Sequence, residues 1–502
     1  MTESKDTTVI PVAISGIDVM RGVGAVRAKG FWADAWGRVL KRPGAIFGMC
    51  WIGVIAFFAV FGPIVANAHP LTLVRVGAGG TAMREWPLFA NLTPTDWALL
   101  IGCIVGLPWI FIGPRSLTRA QRLGIFVVAA LQVGFTIVIA GAIVGWAQDP
   151  SRAEWVKAFA RSGAGPWTII GVISLLFALA GAWIPTVDSR RVRVGAAVLA
   201  LLVGWGLSGA SGGATLINFE RYLEDEQSGA IREVTWTLIP WSPQYSRSDM
   251  VAIAPGERVA DVDRLAQFKG TSFGERRVLL GTDALGGDVL SQMLWACRLS
   301  ISIGLVSTGI SVVIGVTMGA IMGYFGGKVD MILFRIVEIF MAVPVLFLLI
   351  VAAGVLPRDT YVMMAIIGCF SWTGAARFTR AEFMKLRNQD FVQAAKATGL
   401  PLRAILFRHM LPNGVTPVLV DASFAIAAAI SIEATLSYLG LGPDGQASWG
   451  KLLSSATAAT GTFVWWLAVF PGIAIFLSVL SYNMLGEAMR DAIDPKLRKA
   501  AH

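Results

Sequence analysis

The sequence has few of the residues from which enzyme active sites are built. Among its 502 residues there are three histidines and four cysteines, and only 15% of the residues are charged. The histidines lie far apart and the cysteines show no CxxC spacing, so neither a metal site nor a disulfide framework is indicated. There is no GxxxxGK[ST] phosphate loop and no HExxH motif, which excludes P-loop binding of ATP and disfavours an intramembrane hydrolase.

What the chain has in abundance is apolar sequence. Hydrophobic residues make up 55% of it, and its mean hydropathy is +0.66, values too high for a soluble globular protein of this length. The formal net charge of +10 would also suit a protein that binds nucleic acid, but basic cytoplasmic loops give a membrane protein the same excess. We therefore predict a polytopic membrane protein in contact with lipid and not with nucleic acid.

Ten segments are apolar and long enough to cross a bilayer, which takes about 20 residues. They are 45–66, 97–114, 123–146, 167–186, 194–212, 299–323, 331–355, 360–377, 414–438 and 464–487. Basic residues before the first segment place the N-terminus in the cytoplasm; they are Arg21, Arg27, Lys29, Arg38, Lys41 and Arg42. Alternation from that side puts 213–297 outside and both termini inside, as in a multi-pass inner-membrane protein.

The cytoplasmic stretch Asp390–Asn413 differs from the spans on either side of it. Its sequence, DFVQAAKATGLPLRAILFRHMLPN, places basic residues at helical spacing, breaks at Gly399-Leu400-Pro401 and ends near a Leu-Pro pair. We interpret it as a helix, a tight turn and a second helix. On the residues alone, a docking element and an ordinary amphipathic loop are equally consistent with this pattern.

The same stretch resembles the EAA loop of permease subunits in binding-protein-dependent ABC importers. The family pattern is Glu-Ala-Ala, three residues, Gly, then a hydrophobic stretch that ends near Leu-Pro. Those positions are occupied here by Gln393, Ala394, Ala395, Gly399, Leu411 and Pro412. The resemblance implies a coupling helix that docks on a separate ATPase subunit, with Arg403 and Arg408 as further contact residues. Gln393 stands where the family has glutamate, so the negative charge of that position is missing.

Further stretches extend the resemblance almost continuously over 281–498, and 30–69 resembles the first span of the family. They are GTDALGGDVLSQMLWACRLSISIG (281–304), GYFGGKVDMILFRIVEIFMAVP (323–344), EATLSYLGLG with ASWGKLL (433–453) and PGIAIFLSVLSYNMLGEAMRDAIDPKLR (471–498). Within the dipeptide, oligopeptide and nickel group, the chain is most similar to C-type permeases, near the type that takes up oligopeptides and microcin C. Gly287, HPLTLVRV (69–76) and INFERY (217–222) favour that branch.

The resemblance implies both the fold and the partners. It implies an all-α polytopic membrane protein with the six-span core of a type I ABC importer permease, to which four spans between 97 and 212 are added. Because four is an even number, the insertion leaves the core topology unchanged. The implied activity is import of peptides by alternating access, by a transport subunit that is not an enzyme and binds no cofactor. The implied partners are a B-type permease subunit, two ABC ATPase subunits that carry ATP and magnesium, and a periplasmic solute-binding protein.

We predict seven regions along the chain. They are a cytoplasmic N-terminal region (1–44), a first core span (45–66), a periplasmic segment (67–96), an inserted four-span bundle (97–212), a second periplasmic segment (213–297), the permease domain (298–490) with a coupling loop (378–413), and a cytoplasmic tail (491–502). The insertion is expected to pack against the first span. Its outside loop, 148–165, is either an amphipathic interfacial helix or a plain loop.

A few charged residues lie within the predicted core spans, where charges are costly and are usually paired or functional. Arg335 and Glu338 are three residues apart on one helical face and are expected to pair. Asp421 and Glu433 fall in the ninth span. All four residues are candidates either for structural pairing or for the translocation path. Arg298, at the outer end of a span, is expected to be an interfacial anchor.

The main alternative to an ABC permease is an ion-coupled secondary carrier for small polar solutes. Such carriers are typically built from symmetric repeats with discontinuous helices near the membrane midplane. This chain instead has a single EAA-like loop and an asymmetric insertion. The sequence therefore favours the permease of an ATP-driven importer.

Overall fold

Helices dominate the structure, a computed structural model that describes residues 31–76, 82–114, 116–148, 153–162, 164–183, 189–210, 219–457 and 463–493. Among these residues, eight helices are long and apolar enough to cross a membrane, and two bent pairs of helices bring the number of candidate spans to ten. The predicted all-α polytopic fold is confirmed, with one small sheet added to it. Most of the predicted N-terminal region and of the cytoplasmic tail lies outside the described residues.

The first half of the chain contains the first core span, a pair of strands and the inserted helices. Its elements are α1 (Phe31–Val39), α2 (Pro43–Val65), β1 (Thr72–Val76), β2 (Ala82–Glu85), α3 (Pro87–Ala90), α4 (Pro94–Ile101), a π-helical turn (Gly102–Gly106), α5 (Leu107–Ile112), α6 (Arg119–Gln148), α7 (Glu154–Arg161), α8 (Gly165–Trp183) and α9 (Arg190–Ala210). The four inserted spans are thus α4 with α5, then α6, α8 and α9. The loop between α6 and α8, which the sequence predicts to lie outside, contains a helix, α7.

The second half contains the rest of the core. Its elements are α10 (Glu220–Gln227), β3 (Ile231–Thr235), 3₁₀ turns at Ser248–Met250, Val259–Asp261 and Asp263–Phe268, α11 (Val289–Phe325), α12 (Gly327–Ala342), α13 (Val345–Val355), α14 (Thr360–Phe370), α15 (Thr373–Leu386), α16 (Asp390–Ala397), α17 (Leu402–Ala404), a π-helical turn (Ile405–Met410), α18 (Leu411–Gly414), α19 (Thr416–Tyr438), α20 (Trp449–Ser455) and α21 (Trp465–Ile493). Helix α11 is central, because it packs against α2, α14, α15 and α19.

Two of the predicted core spans are broken helices rather than straight ones. The segment predicted at 331–355 bends by 79° between α12 and α13. Pro344 lies at that break and lacks the N–H that would continue the helix, and Val343 before it is extended, as residues before proline usually are. The segment predicted at 360–377 bends by 42° between α14 and α15, and α15 continues nine residues beyond the predicted end.

The closest helix packing in the core is between α11 and α15. Gly315, Gly319 and Gly323 lie four residues apart and so form a stripe along one face of α11. A Cβ atom at Gly315 would lie 2.6 Å from Ala375 Cβ, and one at Gly323 would lie 2.5 Å from Phe383 Cβ. Only glycine lets the two backbones approach this closely, which is the usual role of small residues in membrane helix pairs.

The two predicted periplasmic segments form a single folded domain. Strand β1, from the first segment, pairs antiparallel with β2 and also with β3 from the second, so the strand order is β2-β1-β3. The domain has its own apolar core; its members include Ala66, Leu223, Trp241, Met250, Leu265 and Phe273. The chain therefore leaves this domain for the four inserted spans and then returns to it, and we call it the split domain (66–76, 82–90 and 219–288).

Candidate functional site

The first nine residues of the predicted coupling loop (378–413) belong to α15, and the rest of it, from Asp390 onward, is a pair of short helices joined by a glycine turn. Helix α16 ends at Ala397, and two residues later Gly399 has a φ of +73°, in the left-handed region that favours glycine. The N–H of Gly399 donates to Lys396 O at 3.0 Å, and that of Leu400 donates to Ala395 O at 3.2 Å. These two bonds are the Schellman arrangement that ends a helix. Pro401 then caps the next helical segment, where its missing N–H costs nothing.

The second helical segment, 402–414, contains a wider turn at its centre. Residues Ile405–Met410 are π-helical and are followed directly by α18 (Leu411–Gly414). Pro412 in α18 cannot donate to the carbonyl four residues earlier, and its ring disfavours a regular α-helical turn at that point. The side chain of Asn413 donates to His409 O at 2.7 Å, which satisfies one of the carbonyls of this turn.

One face of the coupling loop is buried against the core. Its buried apolar side chains belong to one cluster with two residues of α15; the members are Phe383, Leu386, Val392, Ala395, Ile405 and Met410. The Lys396 ammonium lies 5.0 Å from the ring centroid of Tyr324, near the end of α11. Ala395 of the predicted docking set is therefore an internal packing residue in this chain, and Leu411 is half-buried beside the same cluster.

The opposite face is exposed and mixes apolar, basic and small residues. Of the predicted docking set it carries Gln393, Ala394, Gly399, Arg403, Arg408 and Pro412. Sequence reasoning missed the apolar part of this surface, which includes Leu400, Leu402 and Phe407; the last is 62% exposed. Two exposed leucines beside a glycine turn are a signal that could have identified it.

Gln393 makes a hydrogen bond that depends on its being an amide. Its Nε2 donates to Arg387 O at 2.8 Å, at the C-terminal end of α15. An ionised glutamate has no N–H and could not make this bond. In this chain, position 393 therefore also ties the coupling loop to the end of α15.

An ion pair that was not predicted from the sequence joins α15 to α12. Arg380 donates from Nε and Nη2 to the two carboxylate oxygens of Asp330, at 2.5 and 2.7 Å, and its guanidinium lies 4.5 Å from the Phe334 ring centroid. The pair is half-buried and bidentate, the stronger geometry for such contacts. It joins α12 to the helix that leads into the coupling loop.

The charged residues predicted within the core spans fall into three different environments. Arg335 and Glu338 form an ion pair at 2.6 Å on an exposed face of α12. Glu433 is wholly buried, and one of its oxygens accepts from Ser437 and Ser448 at 2.7 Å each. Asp421 is half-buried, forms no ion pair among the described residues, and has the positive charge of Arg377 in its neighbourhood.

Arg298, which the sequence predicts to be an interfacial anchor, has two partners within the chain. Its Nη1 lies 2.5 Å from the Asp96 carboxylate, and its Nε donates to Ala59 O at 2.9 Å. Asp96 also accepts from Thr93 in the capping box that starts α4. Arg298 therefore joins three parts of the chain: the first core span, the start of the insertion and α11.

Two family descriptions match separate parts of the chain. Residues 315–499 match the binding-protein-dependent transport system inner membrane component, and residues 30–74 match the N-terminal transmembrane domain of oligopeptide transport permease C. The first match contains the coupling loop, and the second contains α2 and the start of β1. The inserted spans lie between the two matched regions.

Three relatives illustrate the similarity, and each matches along 43% to 45% of this chain. The oligopeptide transport system permease protein OppC of Haemophilus influenzae is 38% identical over 219 residues, which are 43% of this chain and 70% of that protein. The di/tripeptide transport system permease protein DppC of Pseudomonas aeruginosa is 36% identical over 45% of this chain and 75% of its own length. The inner membrane ABC transporter permease protein YejE of Escherichia coli is 40% identical over 44% of this chain and 64% of its own length. The chain therefore belongs to the family of binding-protein-dependent transport system inner membrane components, together with the transport permeases OppC, DppC and YejE.

Proposed function

We propose that this chain is one of two permease subunits in an importer that moves peptides from the periplasm to the cytoplasm. The cycle is driven by ATP hydrolysis on two separate ABC ATPase subunits, and the chain itself binds no cofactor. A B-type permease completes the path, and a periplasmic binding protein delivers the peptide. The N- and C-termini lie in the cytoplasm in this arrangement, as the basic residues before α2 favour.

The observation that carries the proposal is the two-faced coupling loop. Its outer face offers Leu400, Leu402 and Arg403 to a partner, a combination suited to an apolar groove with an acidic rim. Its inner face is packed into the cluster with Phe383 and Leu386 of α15. A displacement of the outer face by an ATPase subunit would therefore move α15 with it.

Helix α15 passes that displacement on to the spans. It is held to α11 along the glycine stripe and to α12 by the Arg380–Asp330 ion pair. Packed helices of this kind move as rigid bodies rather than deforming continuously. We infer that α11, α12 and α15 move together when the permease changes between its outward and inward openings.

Among the polar residues of the spans, Asp421 is the best candidate for a contact with the cargo. Glu433 is enclosed by its serine partners, and Arg335 and Glu338 satisfy each other. Asp421 is the one of the four that is half-buried without an ion pair among the described residues. A carboxylate in that state is suited to contact the ammonium group of a peptide.

The proposal is tested with the assembled transporter in lipid vesicles, by measuring ATP hydrolysis and peptide uptake on the same preparation. The variants are Gly399→Leu, Arg403→Glu and Arg408→Glu, and the matched control is Lys41→Glu, an exposed basic residue outside the loop. We expect the three loop variants to lower uptake per ATP hydrolysed by about tenfold, since each alters the docking face. The control is expected to keep the wild-type ratio.

Two outcomes would overturn the proposal. If uptake proceeds without any ATPase subunit and follows an ion gradient, the chain is a secondary carrier. If all three loop variants keep the wild-type ratio of uptake to hydrolysis, the loop is not the coupling element. Equal amounts of assembled complex for wild type and variants, measured by size-exclusion chromatography, exclude loss of folding as the cause of any decrease.

A further inference from the structure

Helix α7 lies between two membrane spans of the inserted bundle, at the level where both of them end. The candidate span in α6 ends at Ala147, and the candidate span in α8 begins at Gly165. Helix α7 packs against both of these helices. It therefore lies where the chain passes from the apolar interior of the bilayer to the polar membrane surface.

The turn from α7 into α8 is held by specific contacts. The hydroxyl of Ser162 donates to Phe159 O at 2.6 Å and accepts from the N–H of Gly165 at 2.9 Å. A Cβ atom at Gly165 would overlap Phe159 O, so only glycine fits where the two helices meet. These contacts fix the orientation of α7 relative to α8, and they therefore determine which of its faces turns away from the bundle.

The side chains of α7 are exposed in the reverse order of a helix that faces water. Trp155 is 76% exposed and Phe159 is 48% exposed. The side chain of Lys157 is only 12% exposed, and its ammonium lies 2.7 Å from the Glu154 carboxylate. In water, a helix gains stability by covering its aromatic rings and leaving its lysine solvated. The observed order is the one expected when the exposed face meets an apolar medium.

The adjoining spans show which medium that is. They also turn apolar side chains outward, such as Phe135 of α6 and Leu176 of α8, which are 50% and 62% exposed. Both residues belong to candidate membrane spans, so lipid is the medium that they face. Amphipathic helices at membrane surfaces place tryptophan and phenylalanine in the boundary between headgroups and acyl chains. We propose that α7 lies in this boundary, with Trp155 and Phe159 inserted into the lipid.

The position of α7 gives this contact a structural role. The helix attaches the turn between α6 and α8 to the membrane surface, and it thereby limits how far these two spans can shift along the membrane normal. Glu154, whose side chain is 89% exposed, lies about 100° around the helix from Trp155 and is turned to water. The inference does not depend on the substrate, on the energy source or on which side of the membrane the helix lies.

The test uses the full chain in phosphatidylcholine vesicles, with one fluorescent amino acid incorporated genetically at a time. The probe replaces Trp155 or Phe159, with Glu154 as the matched control on the same helix and Leu176 as the control within a span. Quenching by brominated phosphatidylcholine measures contact with lipid, and quenching by iodide on both sides of the membrane measures contact with water. We expect brominated lipid to quench the probes at Trp155 and Phe159 about threefold more than the probe at Glu154, which iodide should quench instead.

A second measurement tests whether Trp155 holds the helix in the lipid. With the probe at Phe159, Trp155→Glu is expected to lower quenching by brominated lipid by about twofold, whereas Trp155→Phe should leave it unchanged, because only the first change places a charge in the boundary. Three results would overturn the proposal: stronger quenching by iodide than by brominated lipid at Trp155, weak quenching there by both reagents, which would mean that protein covers this face, or an unchanged probe signal in Trp155→Glu.

Discussion

The core and the inserted bundle are both built from apolar helices, but they differ in what their surfaces meet. In the most apolar window of α11, 44% of the residues are buried inside the chain, against 17% in the first and last inserted spans. The inserted helices therefore leave most of their apolar surface to lipid or to another protein, whereas α11 uses much of its surface for contacts within the chain. Two apolar helices of one chain can thus differ in role: α11 is packed within the chain, whereas the inserted spans are attached at its periphery.

The difference also appears in how each region is joined to its neighbours. Helices α11 and α15 meet along a glycine stripe, and the bidentate Arg380–Asp330 pair joins α15 to α12. The bundle packs mainly on itself and contacts the first core span through α4. Its best-defined tie to the core is the pair of Asp96 with Arg298. Motion in the core thus need not be transmitted to most of the bundle.

The largest expected effect comes from filling the glycine stripe. A leucine at Gly319 would overlap the Ala376 carbonyl oxygen, and we expect a loss of about 3 kcal/mol or more in the free energy of unfolding. The matched change in the bundle is Gly141→Leu, because nothing lies within 4 Å of a Cβ atom there. That variant is expected to stay within about 0.5 kcal/mol of wild type. Thermal midpoints and the monodisperse fraction in detergent compare the two, and equal losses would contradict the distinction between core and bundle.

The second prediction concerns the tie between the two regions. Asp96→Ala removes the carboxylate from the partly buried Arg298 guanidinium and one half of the capping box of α4, with an expected loss of about 3 kcal/mol. Glu275→Ala, which breaks an exposed pair of the split domain, is expected to cost about 0.5 kcal/mol or less. Limited proteolysis should cut the bundle from the core faster in the first variant. A double-mutant cycle with Arg298→Met separates the ion pair from the cap, and additive losses would show that the pair contributes nothing.

The third prediction concerns the split domain, whose two parts precede and follow the inserted bundle in the chain. His69 is buried, and burial lowers its pKa to about 4; its Nδ1 lies 2.9 Å from the hydroxyl of Tyr222. The unfolded chain, with a histidine pKa near 6.5, binds more protons than the folded chain between pH 4 and 6.5. Stability therefore falls as the pH decreases through this window, by about 2 kcal/mol between pH 7 and pH 5.

The His69→Gln variant isolates this contribution. We expect its thermal midpoint to depend less on pH than that of wild type over pH 5 to 7, because glutamine does not titrate. Taking the difference between variant and wild type at each pH removes the contributions of the other titrating groups. Parallel pH profiles for the two proteins would mean that His69 titrates normally in the folded state.

The smallest effect is expected on the exposed face of the core. Arg335→Gln breaks an ion pair whose arginine is 74% exposed, and we expect a loss of about 0.5 kcal/mol or less. Arg380→Gln breaks the half-buried bidentate pair with Asp330 and is expected to cost about 2 kcal/mol. Denaturation of the purified chain measures both. Equal costs would mean that burial within the chain does not distinguish the two pairs.

Much of the candidate site could be predicted from local sequence. The break at Gly399-Leu400-Pro401 predicted two helices, because only glycine tolerates the positive φ of the turn and proline starts a helix more readily than it continues one. Which face of those helices is buried could not be predicted. Ala394 and Ala395 are adjacent and chemically identical, yet one is exposed and the other is packed against α15. That choice depends on the position of Phe383 and Met410, which the local pattern does not contain.

The sequence by itself determined the number of spans, the location of the loop and the family. Each of these follows from contiguous residues: a span requires an unbroken apolar run, and the loop is marked by its glycine and prolines. Only the tertiary structure decided which distant residues meet. It joined the strands on either side of the insertion into one sheet and paired Asp96 with Arg298 and Asp330 with Arg380. Contacts across 50 or 200 residues depend on how helices and strands pack in space, and no local period in the chain records that.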